Sequence, residues 1–224
     1  MTRGILIAGN ESALSRAVEA EAEKRVEHYA AALIPNRFSG VSKDSASLNE
    51  RCLSLDWNPS SPISARTLVI AAENRIHNID EAILVCSPPS IRSSASDLPL
   101  TDVEIMVNDY IKGWFFLVRE LAAFFSNRQC GTLALVYPVI ESASGEDAAN
   151  ILGPSSLASF KALVHGLLAA AHNEPYVTMG FSCTEVNAEE EFAAFVFKRL
   201  DEAAGKGKRS NGRLFKYGKF NFFK

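Results

Sequence analysis

The sequence predicts an α/β protein with a doubly wound parallel sheet and helices on both of its faces. Two features carry this prediction. Short apolar runs alternate with longer amphipathic runs along the chain, which is the order of a parallel sheet built from strand-helix-strand units. The run Ile83-Leu84-Val85-Cys86 is apolar at every position, and such continuous apolarity indicates a strand that is covered on both faces.

The chain opens with the strand-turn-helix unit around which this fold is organised. The apolar run Gly4 to Ala8 predicts a buried strand, Gly9 interrupts it, and the run from Ala13 to Arg25, rich in Ala and Glu, predicts a helix. In such a unit the backbone N–H groups at the start of the helix can hold a pyrophosphate. The opening therefore predicts a Rossmann-type, dinucleotide-binding fold whose turn contains a single glycine.

The remaining elements follow in order from local patterns. The Ala-rich run 29–35 is assigned as a strand by its position, because Ala is a weak strand former. Before the second helix, Ser61 and Pro62 supply an N-cap and a proline at the first helical position. The further predicted strands are 52–56, 79–86, 130–138, 176–181 and 213–217, and the further predicted helices are 63–75, 102–127, 154–172 and 189–204.

Length and composition limit the classes of function. With 224 residues, 47% of them hydrophobic, the chain is expected to form one domain, 1–224. A net charge of −3 gives no basic field for nucleic acid or for an anionic membrane surface. The four cysteines lack paired spacing and predict buried thiols and no metal site. Without a signal pattern or an apolar run of about 18 residues, we expect a cytoplasmic protein.

Small motifs along nearly the whole chain resemble, in order and spacing, those of the short-chain dehydrogenase/reductase family. These motifs are Asp56 after the third strand, Ile79-Asp80 before the fourth, Gly113 and Phe115 early in the long helix, Gly131 opening the fifth strand, Lys161, Gly212 and Tyr217-Gly218. The resemblance implies a Rossmann fold, an NADP or NAD cofactor and a homodimer or homotetramer.

The resemblance also implies where a cofactor would lie. The family's GxxxGxG turn falls on Gly9, Ala13 and Ser15, and the two added side chains are expected to weaken or re-pose a bound pyrophosphate. Arg37 matches an arginine that reads the 2′-phosphate of NADP, and Asp56 an acid that accepts from the adenine amino group; the alternatives are a surface arginine and an Asx turn. The expected cofactor contacts are Gly9, Ser12, Leu14, Arg37, Asp56, Ser87 and Lys161.

The family's catalytic positions are largely replaced. Lys161 matches the lysine, but Leu157 stands four residues earlier, where the family has its tyrosine. Pro138, or Tyr137 if the loop shifts by one residue, stands at the serine position, and Tyr110 stands at the asparagine position. Tyr137 and Tyr110 are therefore the candidate phenols for a rearranged proton donor beside Lys161, and packing in the core is the alternative for both.

Two functions remain open from the sequence. One is a non-catalytic, oligomeric binding protein that has lost the catalytic Ser and Tyr and binds a dinucleotide weakly or not at all. The other is a divergent NAD(P)-dependent oxidoreductase of a small carbonyl or alcohol. The connection Ser182 to Ala188 is too short for a substrate lid. The residues expected at the subunit interface are Trp114, Phe124, Phe125, Leu163 and Leu167.

Overall fold

A computed structural model describes residues 3–35, 37, 51–88, 91, 93–139, 150–206 and 210–218. Seven strands and six α-helices alternate along the described chain. In order they are β1 (Ile5–Asn10), α1 (Ala13–Glu23), β2 (Tyr29–Ile34), β3 (Cys52–Ser54), α2 (Pro62–Ile76), β4 (Glu81–Val85), α3 (Leu100–Val107), a π-helical turn (Asn108–Lys112), α4 (Gly113–Arg128), β5 (Thr132–Pro138), α5 (Leu152–Ala170), a 3-10 turn (Ala171–Asn173), β6 (Val177–Cys183), α6 (Glu189–Lys206) and β7 (Arg213–Tyr217).

All seven strands form one parallel sheet in the order β3-β2-β1-β4-β5-β6-β7. The predicted fold class, a Rossmann-type doubly wound sheet, is confirmed. The strand order reverses between β1 and β4, so the carboxyl ends of these two strands border the crevice in which open α/β sheets bind their ligands.

Most predicted elements lie within a few residues of their observed bounds, since each is set by a local signal. Ser61 caps α2 as expected, its hydroxyl accepting from the Ser64 N–H at 3.2 Å, and Pro62 is the first helical residue. The predicted helix over 102–127 needs correction, because a π turn at Asn108–Lys112 separates α3 from α4. A π turn leaves no mark in an apolar periodicity of this length, and it is frequent at functional sites.

The sheet separates two apolar layers, because side chains alternate between its faces. Buried side chains of α2, α4 and α5 pack on one face, and those of α1 and α6 pack on the other. Trp114 lies between Trp57 and Phe160, with ring centroids 5.6 and 5.1 Å away. The expectation that Trp114 and Phe125 lie at a subunit interface is wrong, because both are buried inside the monomer.

A group of ion pairs ties the opposite, amino-terminal edge of the sheet to α6 and α1. Arg3 donates to Glu81 at the start of β4 and to Asp201 on α6. Arg25, just past α1, donates to Asp201 and to Glu21. Glu81 is buried, and its second oxygen, Oε2, has no hydrogen-bond partner among the described residues. The Arg3 guanidinium is therefore the main compensation for a buried carboxylate.

Candidate functional site

A cavity of about 90 Å³ lies at the carboxyl ends of the central strands. It is smaller than the roughly 300–1,000 Å³ usual for small-molecule sites. Its walls come from the start of α1, the ends of β5 and β6, the segment after β4 and the start of α6. The lining residues are Ala13, Leu14, Ser87, Pro138, Cys183, Glu185, Glu189 and Phe192.

Gly9, the family glycine that the chain keeps, lies in β1 and is required there for packing. A Cβ on Gly9 would overlap the Val85 carbonyl oxygen, so only glycine allows β1 and β4 to approach here. The expectation that Gly9 interrupts the first strand is wrong, because β1 extends through Gly9 to Asn10 and Gly9 pairs with Val85 of β4. A contact between Gly9 and a cofactor stays a prediction.

The first turn of α1 satisfies its own hydrogen-bond donors. The Ser12 hydroxyl accepts from the Ser15 N–H at 3.1 Å, and the Ser15 hydroxyl accepts from the Ser12 N–H at 2.8 Å. Ser15 Oγ also donates to the Asn10 carbonyl oxygen at 2.9 Å. This reciprocal capping box occupies backbone donors that a glycine turn would leave free for a ligand. In the sequence, Ser15 was noted only as the replacement of a family glycine. In the structure its side chain caps α1 and bonds to the end of β1.

Two glutamates that were not selected from the sequence border the cavity. Glu185 follows β6, and Glu189 is the first residue of α6. Burial raises the pKa of the Cys183 thiol, and the negative charges of Glu185 and Glu189 raise this pKa further, so both carboxylates act on this end of the sheet. The signal that could have identified them is the acidic first turn of α6, Glu189 to Glu191, directly after a short connection.

The short connection itself was predicted. β6 ends at Cys183 and α6 begins at Glu189, which leaves the five residues from Thr184 to Ala188 between them. A segment of this length has no room for a lid over the cavity. The sequence expectation for this region is confirmed.

The proposed catalytic residues do not come together at the cavity. Leu157, where the family carries tyrosine, is 4% exposed and packs in the core, and Pro138 offers the cavity no side-chain donor. Lys161 is half-buried on α5 and is not among the cavity-lining residues. Among the described residues it has no ion pair or hydrogen bond in the structure.

Neither candidate phenol faces the cavity, and both belong to the core. Tyr137 packs edge-on against Phe160, with centroids 6.1 Å apart, and Tyr110 is part of the π turn and packs against Met106 and Leu152. Burial raises the pKa of both phenols; a hydrogen bond with Ser182 offsets part of the rise at Tyr137. A proton-transferring tyrosine needs the opposite shift.

The other expected cofactor contacts lie along the same edge of the sheet. Leu14 and Ser87 line the cavity, and Ser12 caps α1. Asp56 is exposed after β3. Arg37, just past β2, forms an ion pair with Asp109 of the π turn, Nε to Oδ2 being 3.4 Å. Asp109 was not selected from the sequence. In this segment the candidate site residue was its neighbour Tyr110.

The described part of the chain offers neither a metal site nor a membrane span. No group of three or more His, Cys, Asp or Glu side chains there could hold a metal ion. None of the described helices is long and apolar enough to cross a membrane.

Known structures share this architecture from end to end. A short-chain dehydrogenase from Mycobacterium smegmatis superposes with a TM-score of 0.73, with 98% of this chain and 94% of that chain covered at 13% identity. The chain has the fold of the short-chain dehydrogenases/reductases. The sequence itself matches no protein-family model and no curated protein.

Two further structures agree with this fold. A short-chain dehydrogenase/reductase from Serratia marcescens has a TM-score of 0.68, with 96% of each chain covered at 13% identity. ElxO, a structure with NADP bound, has a TM-score of 0.70, with 96% of this chain and 97% of that chain covered, also at 13% identity. At such low identity the likeness extends to the short-chain dehydrogenase/reductase fold and not to the chemistry of any one of these proteins.

Proposed function

We propose that this chain is a non-catalytic member of the short-chain dehydrogenase/reductase family that acts as a homo-oligomeric binding protein. The observation that carries the proposal is the state of the crevice at the carboxyl ends of β5 and β6, beside the start of α1. Its cavity holds about 90 Å³ and is bordered by Glu185 and Glu189, where the fold would otherwise receive the phosphates of a dinucleotide.

Three features of this crevice disfavour a pyrophosphate. The carboxylates of Glu185 and Glu189 would repel it. The capping box of Ser12 and Ser15 already occupies N–H groups at the start of α1, which are the donors that anions use at helix N-termini. The cavity formed by the described residues, about 90 Å³, is also smaller than the usual small-molecule site of roughly 300–1,000 Å³. The residues present therefore do not fit an NADP or NAD cofactor in the family's pose.

The replaced catalytic positions support the same proposal. A proton relay through a tyrosine would need an accessible phenol with a lowered pKa near Lys161. The chain has Leu157 in the core at that position, and the pKa values of Tyr110 and Tyr137 are raised. The competing function, a divergent NAD(P)-dependent oxidoreductase, has Lys161 as its main support.

Titration with NADPH and NADH tests the proposal. We expect the nicotinamide fluorescence of both cofactors to be unchanged at micromolar protein, and equilibrium dialysis to recover no bound nucleotide. A short-chain dehydrogenase with a glycine-rich turn, titrated in parallel, is the control. Saturable binding of either cofactor would contradict the proposal and favour the divergent oxidoreductase.

Restoring the family's tyrosine is expected not to create an enzyme. Leu157→Tyr places a phenol four residues before Lys161 on the same helix face. Hydride transfer also needs the reacting atoms within about 3–3.5 Å of each other, and the described residues that line the cavity do not fit a cofactor in that position. We expect background rates with NADPH and a panel of simple ketones and aldehydes, with Leu157→Phe as the matched control. Turnover above that of both proteins would show that a cofactor binds productively.

We further propose that the oligomer forms through α4 and α5. Phe115 on α4 is 50% exposed, and Leu163 and Leu167 on α5 are only partly covered. The commonest arrangement for a homo-oligomer is a two-fold contact, in which the same face of each copy meets its partner. This face could form such a contact. We expect light scattering to give a dimer or tetramer, and Phe115→Glu to shift it toward the monomer.

The control for this interface is Ile63→Glu on α2, which also places a charge at an exposed apolar position. Because Ile63 lies on a different helix, this variant is expected to keep the mass of the parent protein. A monomeric parent at micromolar concentration would contradict the oligomer.

A further inference from the structure

The ion pair between Arg37 and Asp109 joins two positions that are far apart in the chain. Asp109 is in the π turn between α3 and α4, and it is 1% exposed. Neither of its carboxylate oxygens accepts a hydrogen bond from a described residue. A carboxylate in this condition is costly to bury unless a cation lies close to it. The cation that the described structure places there is Arg37.

Arg37 reaches from this buried carboxylate to the solvent. Its Nε lies 3.4 Å from Asp109 Oδ2, and its side chain is 51% exposed. A guanidinium presents five N–H donors in a planar fork that fits a phosphate or a carboxylate. In this protein the Nε edge of that fork faces the Asp109 carboxylate, and the Arg37 side chain as a whole is about half exposed.

We propose that Asp109 is an internal counter-ion that neutralises Arg37 and keeps phosphate-bearing ligands off the carboxyl end of β2. A phosphate brought to Arg37 would lie beside a buried negative charge and would be repelled by it. It would also compete with Asp109 for the same guanidinium, and a bound phosphate would leave the carboxylate without its cation. Asp109 is therefore a specificity-determining residue that selects against anions at this position.

This inference stands apart from the proposed lack of catalysis. It concerns one guanidinium rather than the cavity bordered by Glu185 and Glu189, and it is tested by binding rather than by turnover. The probe is adenosine 2′-monophosphate, because its phosphate is the only charged group and it carries none of the pyrophosphate that those glutamates would repel. If the parent protein bound NADPH, the proposed function would fail while the effect of Asp109 on the probe could still be measured.

The test is isothermal titration of the probe into four proteins: the parent, Asp109→Asn, Asp109→Asn with Arg37→Ala, and Asp102→Asn. The first substitution keeps the shape of the side chain and removes its charge. We expect Asp109→Asn to bind about tenfold more tightly than the parent, which is the value of one charge-assisted hydrogen bond. The double variant is expected to lose this gain.

Asp102→Asn is the matched control, because it removes one negative charge from α3 without touching Arg37. It is expected to bind as the parent does, which separates the local effect from the change in net charge. Equal affinity of Asp109→Asn and the parent would overturn the proposal, and so would a gain that survives Arg37→Ala or that Asp102→Asn reproduces.

A measurement on the parent protein covers the case in which Asp109→Asn does not fold. The Arg37 Nε–H NMR signal, assigned by its loss in Arg37→Lys, is expected to be protected from exchange with water and unchanged by millimolar adenosine 2′-monophosphate. A signal that exchanges like that of a free arginine, or that shifts with the probe, would overturn the proposal.

Discussion

Trp114→Ala is expected to lower the free energy of unfolding by about 3 to 5 kcal/mol, the usual cost of truncating a buried tryptophan. The Trp114 ring is buried between Trp57 and Phe160 on the face of the sheet covered by α2, α4 and α5. Its removal deletes both aromatic contacts. It also leaves a void that α2, α4 and α5 cannot fill by moving closer to the sheet. Urea unfolding followed by circular dichroism measures the loss.

Ile63→Ala is the control for this experiment. Ile63 is 75% exposed on α2, and its truncation is expected to change the free energy of unfolding by no more than about 0.5 kcal/mol. If Trp114→Ala cost as little as Ile63→Ala but dissociated the oligomer, Trp114 would be an interface residue after all.

Arg3→Ala is expected to cost about 3 to 5 kcal/mol at neutral pH, because it leaves Glu81 as a buried carboxylate without its cation. Arg3 donates to Glu81 at the start of β4, and burial is the main cause that raises the pKa of Glu81. Arg3 lowers this pKa, so the variant is expected to raise it further. Thermal and urea unfolding across a pH series measure the effect.

The sign of the pH dependence follows from the direction of the shift. An acid whose pKa is raised in the folded protein favours folding when it is protonated, and this contribution is lost as the pH rises through the raised value. The cost of Arg3→Ala is therefore expected to be largest near pH 7 and to shrink as the pH falls toward the ordinary glutamate pKa of about 4.3. A cost that does not vary with pH would exclude Glu81 as its cause.

Two variants complete this test. Glu81→Gln in the Arg3→Ala background removes the buried charge and is expected to recover part of the loss. Arg16→Ala breaks an exposed pair with Glu11 and is expected to cost at most about 1 kcal/mol. A similar loss in Arg16→Ala would mean that the loss of any arginine, and not the buried carboxylate, destabilises the protein.

The fold of this protein could be predicted from its sequence because the signals that set it are local. Continuous apolar runs mark strands covered on both faces, Ser61 and Pro62 mark the start of α2, and the order of elements leaves a doubly wound sheet as the natural arrangement. The short connection before α6 could likewise be counted directly along the chain.

The candidate site was only partly predictable. Leu14, Ser87 and Pro138 lie at the carboxyl edge of the sheet, as their places in the sequence indicate, because Leu14 is in the first turn of α1, Ser87 follows β4 and Pro138 ends β5. Glu185 and Glu189 were missed, because acidic residues after a strand are ordinarily solvated and only the fold brings these two to the cavity. Tyr110 and Tyr137 were offered as proton donors, and burial places both in the core, which residue type alone does not reveal.

The sequence by itself determined the strand-helix order, the cap of α2 and the replacement of the family's glycines and catalytic tyrosine, all of which depend on residues within a few positions of each other. The tertiary structure alone decided that Trp114 faces inward, that a π turn interrupts the long helix and that Asp109 meets Arg37. Contacts of this kind join residues more than 40 positions apart. Their partners are chosen by packing against the sheet, and no local periodicity encodes that choice.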